Sequence, residues 1–166
     1  MILESIRIGL IGVGQRGMKT LERYAFIRHA QVCAVADTHE ERLTMANNLL
    51  KEQGREAAKE YSGKHAWKKM CEAKDINLIY ICTDWSSHTQ MAVYAMKQGK
   101  DVAVEVPAAT TVEECWQLVD TAEQTGRHCF MTLVSPVVNA GITSTDGLFI
   151  TIITWVRRWF QPYSGA

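Results

Sequence analysis

Short apolar runs rich in valine and isoleucine recur along the chain: Ile6 to Ile11, Gln31 to Ala36, Asn77 to Cys82, Asp101 to Val104 and His128 to Leu133. Each is too short for a helix of an open domain, and polar residues do not alternate within it. Strands buried on both faces of a parallel sheet have this pattern. Stretches of helical period separate the runs, one of them from Met18 to Ile27 and another after Thr111. In the latter, Val112, Cys115, Leu118, Val119 and Ala122 recur at three and four, which predicts one stripe against the sheet. Ser87-His88-Thr89-Gln90 and Thr111-Val112-Glu113-Glu114 both match the capping box that opens a helix. Gly99 and Gly126 stand where a left-handed residue would close one. The polar stretch 53–64 reads as an exposed loop or short edge element, and a further helix is expected over 65–72. Strand and helix in alternation predict the α/β class, here a doubly wound, mainly parallel sheet.

The pattern changes after Met131. Of the 18 basic and 18 acidic residues, only Arg157, Arg158 and Asp146 lie beyond it. Two regions follow: a domain over 1–131 and an atypical tail over 132–166. Within the tail, "LFITIITWV" (148–156) is a candidate strand, too short to span a bilayer. Left without a partner in the chain, it would invite pairing with a second copy.

Composition narrows the partners. The 166 residues suit one full domain, and their formal net charge is zero. With no basic cluster, neither nucleic acid nor an anionic membrane is expected as a partner, and a small ligand is. The five cysteines, Cys33, Cys71, Cys82, Cys115 and Cys129, are scattered and never spaced as C-x-x-C. That argues against a disulfide framework or a zinc site. The remaining histidines, His29, His39, His65 and His128, share no metal spacing. No basic leader or cleavage site precedes "IRIGLIGV", so a cytoplasmic protein is expected.

Candidate chemistry gathers at strand ends. Gly12-Val13-Gly14-Gln15-Arg16-Gly17 follows the first strand and opens the first helix. In such a turn Gly12 permits the tight bend, Gly14 lets a pyrophosphate approach, and Gly17 lets helix and strand pack closely. The second strand ends at Asp37, about 20 residues on, where a carboxylate can accept from an adenosine ribose. That carboxylate favours NAD over NADP, although Arg16 and His39 are nearby cations. The competing reading is a plain glycine turn with an aspartate cap. Ligands in such sheets bind beyond the carboxyl ends of the strands. Thr83, Asp84, Trp85, Ser86, Ser87 and His88 follow the strand ending at Cys82, and Glu105, Val106 and Pro107 follow the next. Trp85 could lie against ribose or nicotinamide, and His88 could donate a hydrogen bond. The competing readings are a packing tryptophan, a helix-start histidine and a loop carboxylate.

In combination, "IRIGLIGVGQRG", "VADTHEER", "INLIYICT" with its following Trp-x-x-His, "GKDVAVEVP" and "AATTVEECWQLVDTAEQTGRHC" resemble the N-terminal Rossmann domain of the glucose-fructose oxidoreductase and inositol dehydrogenase (Gfo/Idh/MocA) family. Most dehydrogenases of that family carry Glu-Lys-Pro where this chain has Glu105-Val106-Pro107. Val106 has no ionisable group and cannot move a substrate proton. With Glu-Val-Pro-Ala-Ala and "EECW", the chain is most similar to the branch called glycoside hydrolase family 109, α-N-acetylgalactosaminidases. The resemblance implies that Gln15, Arg16, Asp37, Trp85, Ser86, Ser87, His88, Glu105 and Val106 contact NAD. It also implies net hydrolysis through transient oxidation of the sugar, without the paired carboxylates of ordinary glycosidases.

Family members continue into a further α/β domain that supplies the sugar pocket and catalytic groups. Here the resemblance ends near Met131, and the tail is expected to be frame-shifted or truncated sequence, a natural short variant being the alternative. Three functions therefore stand: an NAD-binding domain of a glycosidase or oxidoreductase, inactive alone; a stand-alone NAD-binding module; and the remnant of a sugar or polyol dehydrogenase. A sugar substrate is expected only with a second domain, and a homo-oligomer only through the tail.

Overall fold

The computed structural model of the chain describes residues 5–24, 27, 29–132 and 150–151. Strand and helix alternate as β1 (Ile6–Ile11), α1 (Gln15–Tyr24), β2 (Ala30–Asp37), α2 (Glu40–Glu52), β3 (Lys59–Ser62), α3 (Ala66–Glu72), β4 (Leu78–Ile81), α4 (Trp85–Lys97), β5 (Asp101–Glu105), α5 (Val112–Thr125) and β6 (Cys129–Thr132). Six parallel strands lie in the order β3-β2-β1-β4-β5-β6, and the short β7 (Ile150–Thr151) adds to β6 antiparallel. This is the doubly wound order, with its switch point between β1 and β4. Each of the five apolar runs is a strand. The polar stretch 53–64 contains the mostly exposed edge strand β3. Apart from β7, the candidate strand at 148–156 lies outside the described residues, as does nearly all of the tail.

Alternation along the strands divides the core into two layers. Ile8, Leu10, Val32, Val35 and Tyr80 pack under Leu21 of α1 and Leu43, Ala46 and Leu50 of α2. Ile11, Ala36, Ile79, Ile81, Val102 and Val104 pack under Trp67 and Met70 of α3, Ala92, Ala95 and Met96 of α4, and Leu118 of α5. Side chains such as Ile8, Leu10, Ile79 and Ile81 are fully buried, each stabilising the fold by about 2 kcal/mol. With both faces covered, the strand ends remain open to a ligand, and in sheets of this kind ligands bind at the carboxyl edge.

Three helix expectations need correction. The first helix runs from Gln15 to Tyr24 rather than from Met18 to Ile27, because it starts directly on the glycine turn. The capping box at Ser87 does not form: Asp84 is the N-cap of α4, and Ser87 lies in the first turn, donating back to the Asp84 carbonyl at 2.9 Å. The apolar stripe of α5 is buried at Leu118, but Val112 is 69% exposed and Cys115 is exposed. The helix meets the core only from its middle onward. The other expected box does form, with Glu114 N–H donating to Thr111 Oγ1 at 3.1 Å. Gly126 closes that helix in the left-handed region with φ 65°, and Gly99 follows α4 with φ 77°.

Candidate functional site

The turn after β1 needs its glycines for different reasons. Gly12 has φ +85°, and a Cβ there would lie 2.7 Å from the Cys82 carbonyl oxygen. The turn is therefore pressed against the end of β4, at the switch point. A Cβ on Gly17 would lie 2.0 Å from the Gly12 carbonyl oxygen, closer than any contact allows. At Gly14 the nearest atom would be the Arg42 guanidinium nitrogen, 3.8 Å away. Gly14 thus leaves an open cradle at the head of α1, where its carbonyl accepts from Met18 N–H at 2.9 Å. Unpaired amide groups and the helix dipole make that position attractive to a phosphate. Gln15 and Arg16 flank it and are exposed.

Asp37 ends β2 beside this cradle. Its Oδ2 accepts from Val13 N–H at 2.9 Å, and its Oδ1 from His39 N–H at 3.0 Å. The His39 ring lies 3.3 Å and the Arg42 guanidinium 3.6 Å from Oδ1, and the Asp37 side chain is 5% exposed. The carboxylate is therefore fixed before any ligand arrives, with the Arg42 guanidinium and the His39 ring over it. Arg42, in the first turn of α2, was missed in the sequence. Its placement one helical turn after the acid was the available signal.

On the other side of the switch point, Trp85 opens α4 with 64% of its surface exposed. The hydroxyls of Ser86 and Ser87 are already engaged. Both donate to the Asp84 carboxylate, and Thr83 Oγ1 lies 2.8 Å from Ser87 Oγ. The Ser86 hydrogen bond, helped by Ser87 and the neighbouring His88, holds the Asp84 carboxyl below the usual carboxylate range. His88 is 1% exposed, with both ring nitrogens on backbone carbonyls. It stands at the back of the wall, with both ring nitrogens already engaged.

Glu105 ends β5 and is 4% exposed. Tyr80 hydroxyl donates to its Oε1 at 3.0 Å and lies 2.8 Å from Thr132 Oγ1, and Arg16 Nε is 3.8 Å from Oε2. Burial above all pushes the Tyr24 phenol far up, and it does the same to Tyr80 and Cys82. These groups stay protonated at neutral pH. The cluster ties the glycine turn, through Arg16, to the last parallel strand. Tyr80 and Thr132 were missed in the sequence, though a tyrosine inside "LIYI" signals a hydroxyl that must find a buried partner. Val106 and the cis-linked Pro107 follow, both half-buried. All the expected positions therefore gather at the carboxyl edge of β1, β2, β4 and β5.

The parallel sheet, the glycine cradle at a helix head and the acid ending β2 together define a Rossmann-type dinucleotide-binding domain. The model of the oxidoreductase family with NAD-binding Rossmann fold, Gfo/Idh/MocA, matches residues 6–133, and the chain belongs to that family. It is 53% identical over 126 residues to a glycosyl hydrolase family 109 protein of Phocaeicola vulgatus, covering 76% of this chain and 30% of that protein. It is 51% identical over 129 residues to an α-N-acetylgalactosaminidase of Bacteroides fragilis, covering 78% and 30%. The chain thus spans about a third of the length of these relatives. Among solved structures, scyllo-inositol dehydrogenase of Lactobacillus casei with NAD(H) and scyllo-inositol superposes with a TM-score of 0.66 at 24% identity, over 76% of this chain and 36% of that one. That likeness is one of fold. The cofactor of the domain is NAD, and the open cradle at Gly14 fits it.

Proposed function

We propose that the chain is the NAD-binding part of an NAD-dependent glycosidase acting on α-N-acetylgalactosaminides, and that it is inactive alone. The observation that carries this reading is Val106. At the end of β5, between Glu105 and Pro107, the chain offers an aliphatic side chain where a sugar dehydrogenase of the family needs a lysine. The identity of 51% to an α-N-acetylgalactosaminidase supports the same branch.

In this reading the head of α1 and Gly14 take the pyrophosphate, with Gln15 and Arg16 beside it. Asp37 orients the adenosine ribose, with His39 and Arg42 over it. Trp85 lies against the nicotinamide half, and Thr83, Ser86, Ser87 and His88 set the wall behind it. Glu105, Val106 and Pro107 close the opposite side. Bound NAD supplies reversible hydride acceptance. The groups that bind the sugar and move its protons belong to the part of the relatives that this chain does not span. A sugar partner, a homo-oligomer through the tail and the boundary at residue 131 belong to the same proposal. A cytoplasmic location suits the scattered, unpaired thiols. Among the described residues no helix is long and apolar enough to cross a membrane.

The test uses a chromogenic α-N-acetylgalactosaminide. The chain alone, with NAD, should bind the cofactor and release no chromophore. Fused at residue 131 to the remaining part of the Bacteroides fragilis α-N-acetylgalactosaminidase, it should hydrolyse the substrate with no net NADH. Accumulating NADH from free sugars would instead establish a dehydrogenase, and turnover by the chain alone would refute its inactivity.

A further inference from the structure

Tyr80 is buried inside β4, and its hydroxyl is engaged on two sides. It donates to Glu105 Oε1 at 3.0 Å and lies 2.8 Å from Thr132 Oγ1. With the phenol proton on the carboxylate, the threonine can serve the phenol only as a donor. The Tyr24 ring, at the end of α1, meets the Tyr80 ring edge-on with centroids 5.9 Å apart. The phenol is thus held by β5, β6 and α1 together.

At the head of the same α1, the half-exposed Arg16 brings its Nε to 3.8 Å from Oε2 of the buried Glu105. Burial opposes a charge on Glu105. The guanidinium near one oxygen and the phenol hydroxyl on the other offset that cost. Without the phenol, both oxygens would draw on Arg16. A guanidinium is a planar fork whose edges can serve two anions at once, and Arg16 stands two residues after Gly14, beside the open cradle. The phenol therefore governs how Arg16 is shared between Glu105 and an anion in that cradle.

We propose that Tyr80 is a positioning residue for the pyrophosphate of NAD: by holding Glu105 it sets Arg16 at the cradle, without itself touching the cofactor. The proposal rests on NAD as the cofactor and not on the glycosidase reading.

The test titrates the full chain with three ligands: NAD; ADP-ribose, which keeps the pyrophosphate and lacks the nicotinamide; and adenosine, which lacks both. Tyr80→Phe should weaken NAD and ADP-ribose alike by about fivefold, the equivalent of one hydrogen bond, and leave adenosine within about twofold of wild type. A merely structural tyrosine would weaken all three. Arg16→Leu should weaken the same two ligands at least as much, and adding Tyr80→Phe to it should cost nothing further, because residues that act through one another are not additive. Thr132→Val keeps the phenol but removes its donor, so it should show the same pattern at smaller size, and it carries the test if Tyr80→Phe folds poorly. In either variant, an equal loss for adenosine, a loss confined to NAD, or additivity with Arg16→Leu overturns the proposal. A chain that binds neither NAD nor ADP-ribose overturns it together with the cofactor assignment.

Discussion

Gly14 and Gly17 stand three positions apart in one turn, yet a single methyl group separates their roles. On Gly17 it would collide with backbone that cannot move aside, the Gly12 carbonyl 2.0 Å away. Gly17→Ala should therefore destabilise the fold by about 3 kcal/mol, read as a lower urea midpoint. On Gly14 the same methyl meets nothing closer than 3.8 Å, so Gly14→Ala should leave the midpoint within about 0.5 kcal/mol of wild type. It should cost NAD at least about tenfold in affinity, since the space it fills is that of a phosphate. Tyr80 makes the complementary case. Tyr80→Phe leaves the buried Glu105 without its 3.0 Å donor, and should lower stability by about 1 to 3 kcal/mol. If Glu105 also steadies Arg16, NAD affinity should fall in the same variant, measured by calorimetry.

At the scale of elements, α5 shows what a sequence discloses and what it does not. Its capping box was legible because a hydroxyl and a glutamate three residues on satisfy each other locally. Its apolar stripe was misleading at Val112 and Cys115, because periodicity says which residues share a face and not how far the sheet extends beneath it. The same distinction explains the site. Glycine, aspartate and proline at strand ends are backbone requirements, visible in one dimension. The Tyr80 cluster and the link from His88 to Pro107 join residues distant in sequence, so only packing reveals them, whereas the side chains over Asp37 lie two and five positions further along the chain. The cap also predicts a pH response. Hydrogen bonds from Thr110, first from its backbone N–H, hold the Glu114 carboxyl below the ordinary glutamate range. A depressed folded-state value means stability that is present above the unfolded value and lost as pH falls through the folded one. Thermal stability should thus drop below about pH 4.5, and Glu114→Gln should flatten that part of the decline. An unchanged slope in the variant would show that the cap carries no linked proton.

The whole molecule is organised around the switch point, where the turn after β1 presses on the end of β4 and Arg16 reaches the end of β5. A dinucleotide laid along that edge would contact the ends of four strands in the folded state and find none of this arrangement in the unfolded chain. NAD at about 100 times its dissociation constant should therefore stabilise the fold by about 2.7 kcal/mol, raising the melting temperature by about 5 to 10 °C. NADP tests the adenosine end. Asp37 would repel its additional phosphate, while Arg42, 3.6 Å from that carboxylate, would attract it. The fixed acid should prevail, because Val13 N–H and His39 N–H hold it in place and the Arg42 guanidinium remains about half exposed to screening solvent. NADP at equal concentration should give the smaller rise, and Asp37→Ser should narrow the difference by removing the repulsion while Arg42 stays. Equal shifts in the wild-type chain would mean that Arg42 and His39, rather than Asp37, face the ribose.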